Sequence, residues 1–563
     1  PDLMPDDSPI PIGYLELGHA PAYYMLVSLP LRLVRHLDIT TQLYVARSVS
    51  LVLFLLTVMV AAGLVRDLTP PGHLLRWAAP LMLVLMPPFV DVMTAVNNDV
   101  GAVFVFSLFL WGAVRAIYFG LSWRRAFWLV AAVLLAVLTK TTASMALVLV
   151  PLVVLIAFWI QRGWRWRWLM LSIVGICALV LVAVFEWGDA AYWYRSASAP
   201  TQDPATRASD ARAPLGSHTV ILEVTPEEQN RYLANPLLAQ DVLRLTGKRA
   251  TVGGWVWANQ PATVGGPGLL VGQWPQGSLN TITRPITVTT VPTFVAWTFT
   301  VPAETKAVQY ALFGKPTERI TQPLRILLDG AFLVVGEYPT NTMPVFDDAT
   351  ANSGSWAGQR FTNLLRNPSG EQGWPRLRLW FEGAVVPFLP RSPSQVLAAL
   401  FDIERTGPVL LQSIFPFVLD GFFTRFAWGH IALTGIPWLF LFRGLALVAL
   451  VGCAKWVIWS KVRSSRASVR PVLVFLGLAG ALVWGNTVIW PLPMLWTEVW
   501  FPAARYAFPA MIPTVLVLVG GWCALWPRSY RAYGSFVLLL YMIGLNVVSV
   551  WTIWIFYRSL PIT

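Results

Sequence analysis

The chain of 563 residues is 56% hydrophobic and 12% charged, whereas soluble domains carry about 25% charged and about 45–50% apolar residues. That balance excludes an ordinary soluble enzyme and a disordered chain, and it predicts an integral membrane protein. Lys and Arg exceed Asp and Glu by 13, but between 188 and 395 the two signs nearly cancel. The surplus therefore sits in short loops between apolar runs, which reads as positive-inside patterning and not as a nucleic-acid partner. The 29 Trp suit membrane–water boundaries, where an amphipathic ring is favoured. Cys177, Cys453 and Cys523 all fall in apolar runs, so neither a disulfide framework nor a metal cluster is signalled. The chain begins at Pro1, and further sequence is expected upstream.

Residues 1–40 read as an outer loop with a short apolar stretch at 20–31 that contains Pro30. A run of that length is expected along the membrane surface and not across it. From 41 to 187 the pattern predicts six spans, at about 48–65, 77–96, 99–118, 126–139, 143–160 and 168–187. The first lies uncharged between Arg47 and Arg66. At about 1.5 Å per residue its length matches a hydrocarbon core of about 30 Å.

Residues 188–390 change character. Short alternating segments such as Thr251–Trp257, Phe294–Val301, Ala307–Phe313, Leu324–Leu328 and Ala331–Gly336 are separated by Gly, Pro and Asn clusters. They predict a β-sandwich. Asp329-Gly330 reads as a two-residue hairpin turn, and 196–216, rich in Ala, Ser, Asp and Pro, as a flexible lead-in. Between 391 and 433 a second short run, 408–419 with Pro416, is again expected at the surface or as a re-entrant segment. From 434 to 563 four further spans are predicted at about 434–455, 471–490, 504–526 and 534–556, making about ten. Arg443, inside the seventh, needs a partner or a wet cavity.

If the spans alternate, Arg66, Arg76, Arg115, Arg124, Arg125, Arg165, Arg470, Arg528 and Arg531 share one side, which the positive-inside rule makes cytoplasmic. The 188–390 insert then lies outside, and the protein is expected as a multi-pass protein of the cell membrane.

Several polar residues converge on that outer side by topology: Glu16, His19, Asp91, Asn97, Asn98, Asp99, Lys140, Arg425, Glu498, Arg505 and Tyr506. Ionic groups at a membrane edge are costly and point to function. Cations beside carboxylates are what a phosphate-linked lipid substrate needs: Lys or Arg neutralises the phosphate, and a carboxylate takes the proton of an acceptor hydroxyl. Plainer readings stand beside these. Asn97 to Asp99 precede an apolar run and fit a helix N-cap. Lys140 fits a snorkelling cap, Arg505 an interfacial anchor, and Glu498 between Trp496 and Trp500 a solvated loop acid. A divalent metal is compatible with acidic outer loops, but no ligand spacing requires one.

Gly18-His19-Ala20-Pro21-Ala22-Tyr23-Tyr24 resembles an element of bacterial GT-C-type membrane glycosyltransferases and related membrane proteins. Val96-Asn97-Asn98-Asp99, Leu138-Thr139-Lys140-Thr141-Thr142, Phe423-Thr424-Arg425-Phe426-Ala427-Trp428 and Ala504-Arg505-Tyr506-Ala507-Phe508-Pro509-Ala510 resemble four others, in the same order. The resemblance implies a polytopic α-helical, GT-C-like membrane protein with an inserted extracytoplasmic β-sandwich. Its activity would be sugar transfer from a polyprenyl-phosphate-linked donor to a glycan, lipid or protein acceptor of the cell envelope, with membrane lipids as surroundings. Lys140 and Arg505, backed by Arg425, would hold phosphate. Asp7, Glu16 and Asp99 would activate the acceptor or orient the sugar. The family carries an acid in its first outer loop; Asp6 and Asp7 lie upstream of His19, and sequence preceding Pro1 is the other place to expect it. Trp297–Val301, Arg325–Gly330 and Asn363–Ser369 resemble strands of carbohydrate-binding-module jelly rolls, with Trp255 and Trp257 as sugar-stacking, core or membrane-docking residues. Two other classes share these features: a transporter or flippase of lipid-linked glycans, and a non-catalytic glycan-binding or assembly protein.

Overall fold

A computed structural model describes residues 20–161, 164–196, 202–272, 280–386, 392–426, 429, 431–433, 436–460, 469–493 and 503–559. The chain divides into two compact units. One is helical and contains the chain up to Gly175, Ile414–Val488 and Pro502 onward; the other contains Ile176–Ser413 and Ile489–Phe501.

The helical unit opens with α1 (Ala22–Leu33), α2 (Ile39–Leu68), α3 (Leu75–Val84), α4 (Pro87–Met93), α5 (Asn98–Phe119), α6 (Trp123–Val137) and α7 (Met145–Gln161). Next, α8 (Trp164–Val184) leads into the sheet unit. α3 and α4 are bent by 66° at the Pro87-Pro88 step, as expected where ring and missing N–H interrupt the helix. The Leu85 carbonyl exposed by that break accepts a hydrogen bond from Asn546 Nδ2 at 2.7 Å.

Among the described residues six helices are long and apolar enough to cross a membrane, or seven if the bent pair is one span. The expected ten are therefore not reached. α6 and α7 have 15 and 17 residues, or about 22–26 Å at 1.5 Å per residue. Conversely, the segment expected along the surface at 408–419 lies inside a continuous 22-residue helical run, Ile403–Thr424, that passes the length test. The run is longer than hydropathy suggested because the chain accommodates Pro408 and Pro416 with a π-helical turn at Leu410–Ile414.

The sheet unit holds a 12-stranded antiparallel sheet built from β1 (Phe185–Ser196), β2 (Gln202–Ser209), β3 (His218–Val224), β4 (Tyr232–Pro236), β5 (Arg249–Ala258), β6 (Ala262–Gly272), β7 (Asn280–Thr283), β8 (Ile286–Val288), β9 (Thr293–Thr300), β10 (Ala307–Pro316) and β11 (Leu324–Val335). A later strand, Gly373–Leu377, pairs with β1. The main order is β7-β6-β10-β4-β1-β2-β3-β11-β5-β9. The sheet folds over itself into two layers: Tyr310 Oη of β10 donates to Gly253 O of β5 at 3.1 Å, and Trp297 Nε1 of β9 to Pro267 O of β6 at 2.9 Å. Val252, Val256, Leu269, Leu312, Ile326 and Leu333 fill the space between. The alternating segments thus form a sandwich as expected.

Two details differ. Residues 202–209, expected as part of a flexible lead-in, are β2, paired to both β1 and β3. The Asp329-Gly330 step does not turn the chain; it is a bulge inside β11, with Asp329 opposite Trp255. Gly330 takes φ +52, a conformation glycine adopts without strain, and the buried Asp329 carboxylate accepts from Gly330 N at 2.6 Å and Leu215 N at 2.7 Å. A turn signal in sequence and a glycine bulge share the same residues.

Candidate functional site

The site lies at the start of α5. Asn97 is extended and caps the helix: its Oδ1 accepts from Asp99 N at 2.8 Å, and its Nδ2 donates to Val92 O at 2.9 Å. Asn97 N in turn donates to Tyr23 Oη at 3.1 Å, and Tyr23 shares a second hydrogen bond, 2.8 Å, with Ser50 Oγ. The first Asn of the motif is thus engaged in capping, as the plainer reading expected, and it ties α1 and α2 to the head of α5.

That cap fixes the first helical turn, where Asp99 points its carboxylate inward with 3% of its side chain exposed. Lys140 follows α6 in the turn before α7, and its Nζ donates to Asp99 Oδ1 at 2.7 Å. Gly101 permits the approach: a Cβ there would fall 2.8 Å from Thr139 Cγ2 and 3.2 Å from Tyr23 Cβ. Lys140 is 10% exposed, so it forms a buried pair and does not snorkel.

Arg505 arrives from a 3₁₀ turn, Ala504–Ala510, that enters α16 (Met511–Leu525). Its Nε lies 3.7 Å from the second carboxylate oxygen, Asp99 Oδ2, an ion pair beyond hydrogen-bond range. The Tyr506 ring lies 5.5 Å from Lys140 Nζ and 5.6 Å from Arg505 Cζ, so one aromatic ring serves both cations. Phe508 anchors the turn edge-on against Phe89 and Phe422, with ring centroids 5.3 and 5.6 Å away.

Arg425 stands nearby but apart. Its guanidinium packs over Phe417 at 4.1 Å and donates to Gly429 O at 3.3 Å. Gly421 separates its stem from Ala504: a Cβ on that glycine would lie 3.3 Å from Arg425 Cδ and 3.4 Å from Ala504 Cβ. Asn98 is also buried, and its Nδ2 has no hydrogen-bond partner among the described residues. Arg443, the cation inside an apolar run, pairs bidentately with Asp420 at 3.0 and 2.7 Å.

Of the residues singled out in the sequence, Asp99, Lys140, Arg505, Tyr506, Asn97 and Asn98 come together, and Arg425 borders them. Asp7, Glu16, His19 and Glu498 lie outside the described residues. No three His, Cys, Asp or Glu gather as a metal-binding group among the described residues. Tyr23 is the member that the sequence did not single out. It stood inside a quoted motif, but its bonds to Ser50 and Asn97 depend on two helices crossing.

The two Trp considered for sugar stacking are not free platforms. Trp257 is fully buried and donates to Asp210 Oδ2 at 3.3 Å; Trp255 is half-buried against Phe294 and Phe346. A second buried polar cluster lies in the sheet unit. Asp402 accepts from Tyr194 Oη at 2.9 Å and Arg366 at 2.6 Å, and pairs with Arg405 at 3.2 Å. Burial pushes the Tyr194 phenol well above its ordinary pKa, so it remains a donor.

No protein-family model matches the chain, and no curated protein matches it. Solved structures resemble part of the chain. The N-terminal cellulose-binding domain of a Cellulomonas fimi β-1,4-glucanase C is 17% identical over 28% of this chain and 97% of its own, with TM-score 0.18. A family 22 carbohydrate binding module of Clostridium thermocellum Xyn10B is 15% identical over 27% and 93%, TM-score 0.19. A xylan-binding domain from CBM 22 is 15% identical over 29% and 98%, TM-score 0.19.

Proposed function

We propose that this chain is a multi-pass membrane protein that holds the phosphate of a polyprenyl-phosphate-linked sugar at Asp99, Lys140 and Arg505 and transfers the sugar to an extracytoplasmic acceptor. The observation that carries the reading is that two cations from distant parts of the chain share one buried carboxylate. The trio keeps a net positive charge, which a single carboxylate cannot cancel and a phosphate can. The free donor on Asn98 adds a neutral hydrogen bond at the same helix end.

In the transfer, the acceptor oxygen attacks the anomeric carbon and the carbon–oxygen bond to phosphate breaks. The phosphate leaves with the electron pair. Lys140 and Arg505 stabilise the charge that develops on it. Asp99, engaged by both cations, is a positioning residue in this reading: it holds them at one place and offsets their repulsion. The proton of the acceptor hydroxyl then goes to another carboxylate, for which Asp7 and Glu16 are the candidates. Engagement of the sandwich with glycan belongs to the same proposal, with a surface other than Trp257.

The engagement of Asp99 also favours a second reading, a non-catalytic carrier or assembly protein for lipid-linked glycans, since such a protein needs the cations and no base. Membranes containing the protein, supplied with lipid-linked sugars, separate the two. Turnover that falls at least tenfold in Lys140→Ala and Arg505→Ala supports transfer. Binding of the lipid without turnover supports the carrier, and unchanged turnover in both variants removes the site.

A further inference from the structure

Among the described residues, the sheet unit carries an uncovered apolar edge where α8 ends. β1 starts at Phe185 directly after α8, and Trp187 is 66% exposed. A strand advances about 3.3 Å per residue, which keeps Trp187 within about 10 Å of Val184. The short helix α10 (Leu379–Val385) returns to the same point, because Arg378 N donates to Val184 O at 2.8 Å. α10 has the sequence LWFEGAV, and none of its residues is buried. Leu379 and Trp380 are 65% and 67% exposed.

The one charge on α10 is engaged within the sheet unit. Glu382 accepts from Ser394 N at 3.0 Å, from Ser394 Oγ at 2.8 Å and from Ser392 Oγ. What is left outward is two indole rings, a Leu and the exposed Arg378, a combination suited to the membrane–water boundary: rings at headgroup depth, and a guanidinium that reaches lipid phosphate.

We infer that Trp187, Leu379 and Trp380 form a membrane-surface anchor of the sheet unit, seated in the headgroup region of the bilayer that α8 enters. The occupant is lipid because this face is continuous with the end of an apolar helix and its two acids are engaged, Glu186 by Arg376 at 2.8 Å and Glu382 by Ser394. This rests on reading α8 as a span.

The test uses the full chain in phosphatidylcholine nanodiscs, with Cys177, Cys453 and Cys523 replaced by Ser and a bimane placed on a single new cysteine. Trp380→Cys and Leu379→Cys report the anchor, Val547→Cys on α17 (Arg531–Ser559) an apolar span, and Leu243→Cys an exposed site elsewhere on the sheet unit. Lipids carry a nitroxide near the carbonyl or near the chain end. At either anchor position the shallow nitroxide should quench about twofold or more, and more than the deep one, as headgroup depth requires; the label at 243 should be unaffected. Quenching at 547 with none at 379 and 380 overturns the anchor alone. No quenching at 547 overturns the membrane reading and the anchor with it.

Discussion

Lys140 Nζ and Asp99 Oδ1 are 2.7 Å apart across 41 positions of sequence, both nearly enclosed. Neither residue's own helix requires the other. Their meeting depends on Asn97 capping α5 and on a glycine at 101 where the turn after α6 comes close. Removing one partner of such a pair leaves a buried charge, at a cost of about 3–5 kcal/mol. Lys140→Met and Asp99→Asn should each lower the unfolding midpoint in detergent, and the double variant should lose clearly less than their sum. Strict additivity would show that the two side chains are not coupled.

Gly101 is predicted to be intolerant of a single methyl. Gly101→Ala places Cβ against Thr139 Cγ2, and overpacking of this kind costs about 1–3 kcal/mol. Thr139→Ser removes that methyl while keeping the hydroxyl that donates to Leu135 O at 2.6 Å. The pair Gly101→Ala with Thr139→Ser should therefore recover part of the lost stability, measured by thermal unfolding, the remainder reflecting Tyr23 Cβ at 3.2 Å. A double variant as unstable as Gly101→Ala would contradict the contact.

In the sheet unit, burial pushes the Asp189 carboxyl up to about 7 against the opposing pull of Arg376. Its Oδ1 lies 3.3 Å from Arg376, and its Oδ2 has no partner among the described residues. The unfolded chain ionises near pH 4, so between about 4 and 7 the folded state holds the extra proton. Stability contributed by this group is therefore present at low pH and lost as pH rises through that window, by at most about 4 kcal/mol for three pKa units. Unfolding midpoints should fall as pH rises from about 4 to 7, and the fall should shrink in Asp189→Asn. An equal pH dependence in the variant would assign it elsewhere.

The Asp402 cluster predicts an asymmetry between two substitutions. Tyr194→Phe removes one of several donors and should cost about 1 kcal/mol. Asp402→Ala removes the buried carboxylate shared by Arg366 and Arg405, both mostly enclosed, and should cost about 3–5 kcal/mol. Limited proteolysis of the region around 392–413 should accelerate strongly in the second and slightly in the first. Equal rates would mean that Asp402 does not anchor this segment.

Composition and hydropathy sufficed for the long apolar helices and the sandwich because both are written in period and polarity, which local sequence carries. The meeting of Asp99, Lys140 and Arg505 was legible only through the assumption that outer loops converge. Helix lengths were less legible: α6 ends after 15 residues, and Ile403–Thr424 runs through two prolines by a π-helical turn. Asp329-Gly330 shows the same limit at a smaller scale, since a hairpin and a bulge ask for the same glycine. Arg443 was marked as needing a partner, but that the partner is Asp420 follows only from how two helices pack.

The central claim is that the cations around Asp99 receive a lipid-borne phosphate. Its most direct test is binding of a polyprenyl phosphate to the purified full chain by native mass spectrometry, comparing wild type, Arg505→Ala and a surface control, Arg249→Ala. Arg505→Ala should weaken binding at least about tenfold, the loss of one charge-assisted contact, while the control binds as wild type. Undiminished binding by a well-folded Arg505→Ala chain would contradict the account.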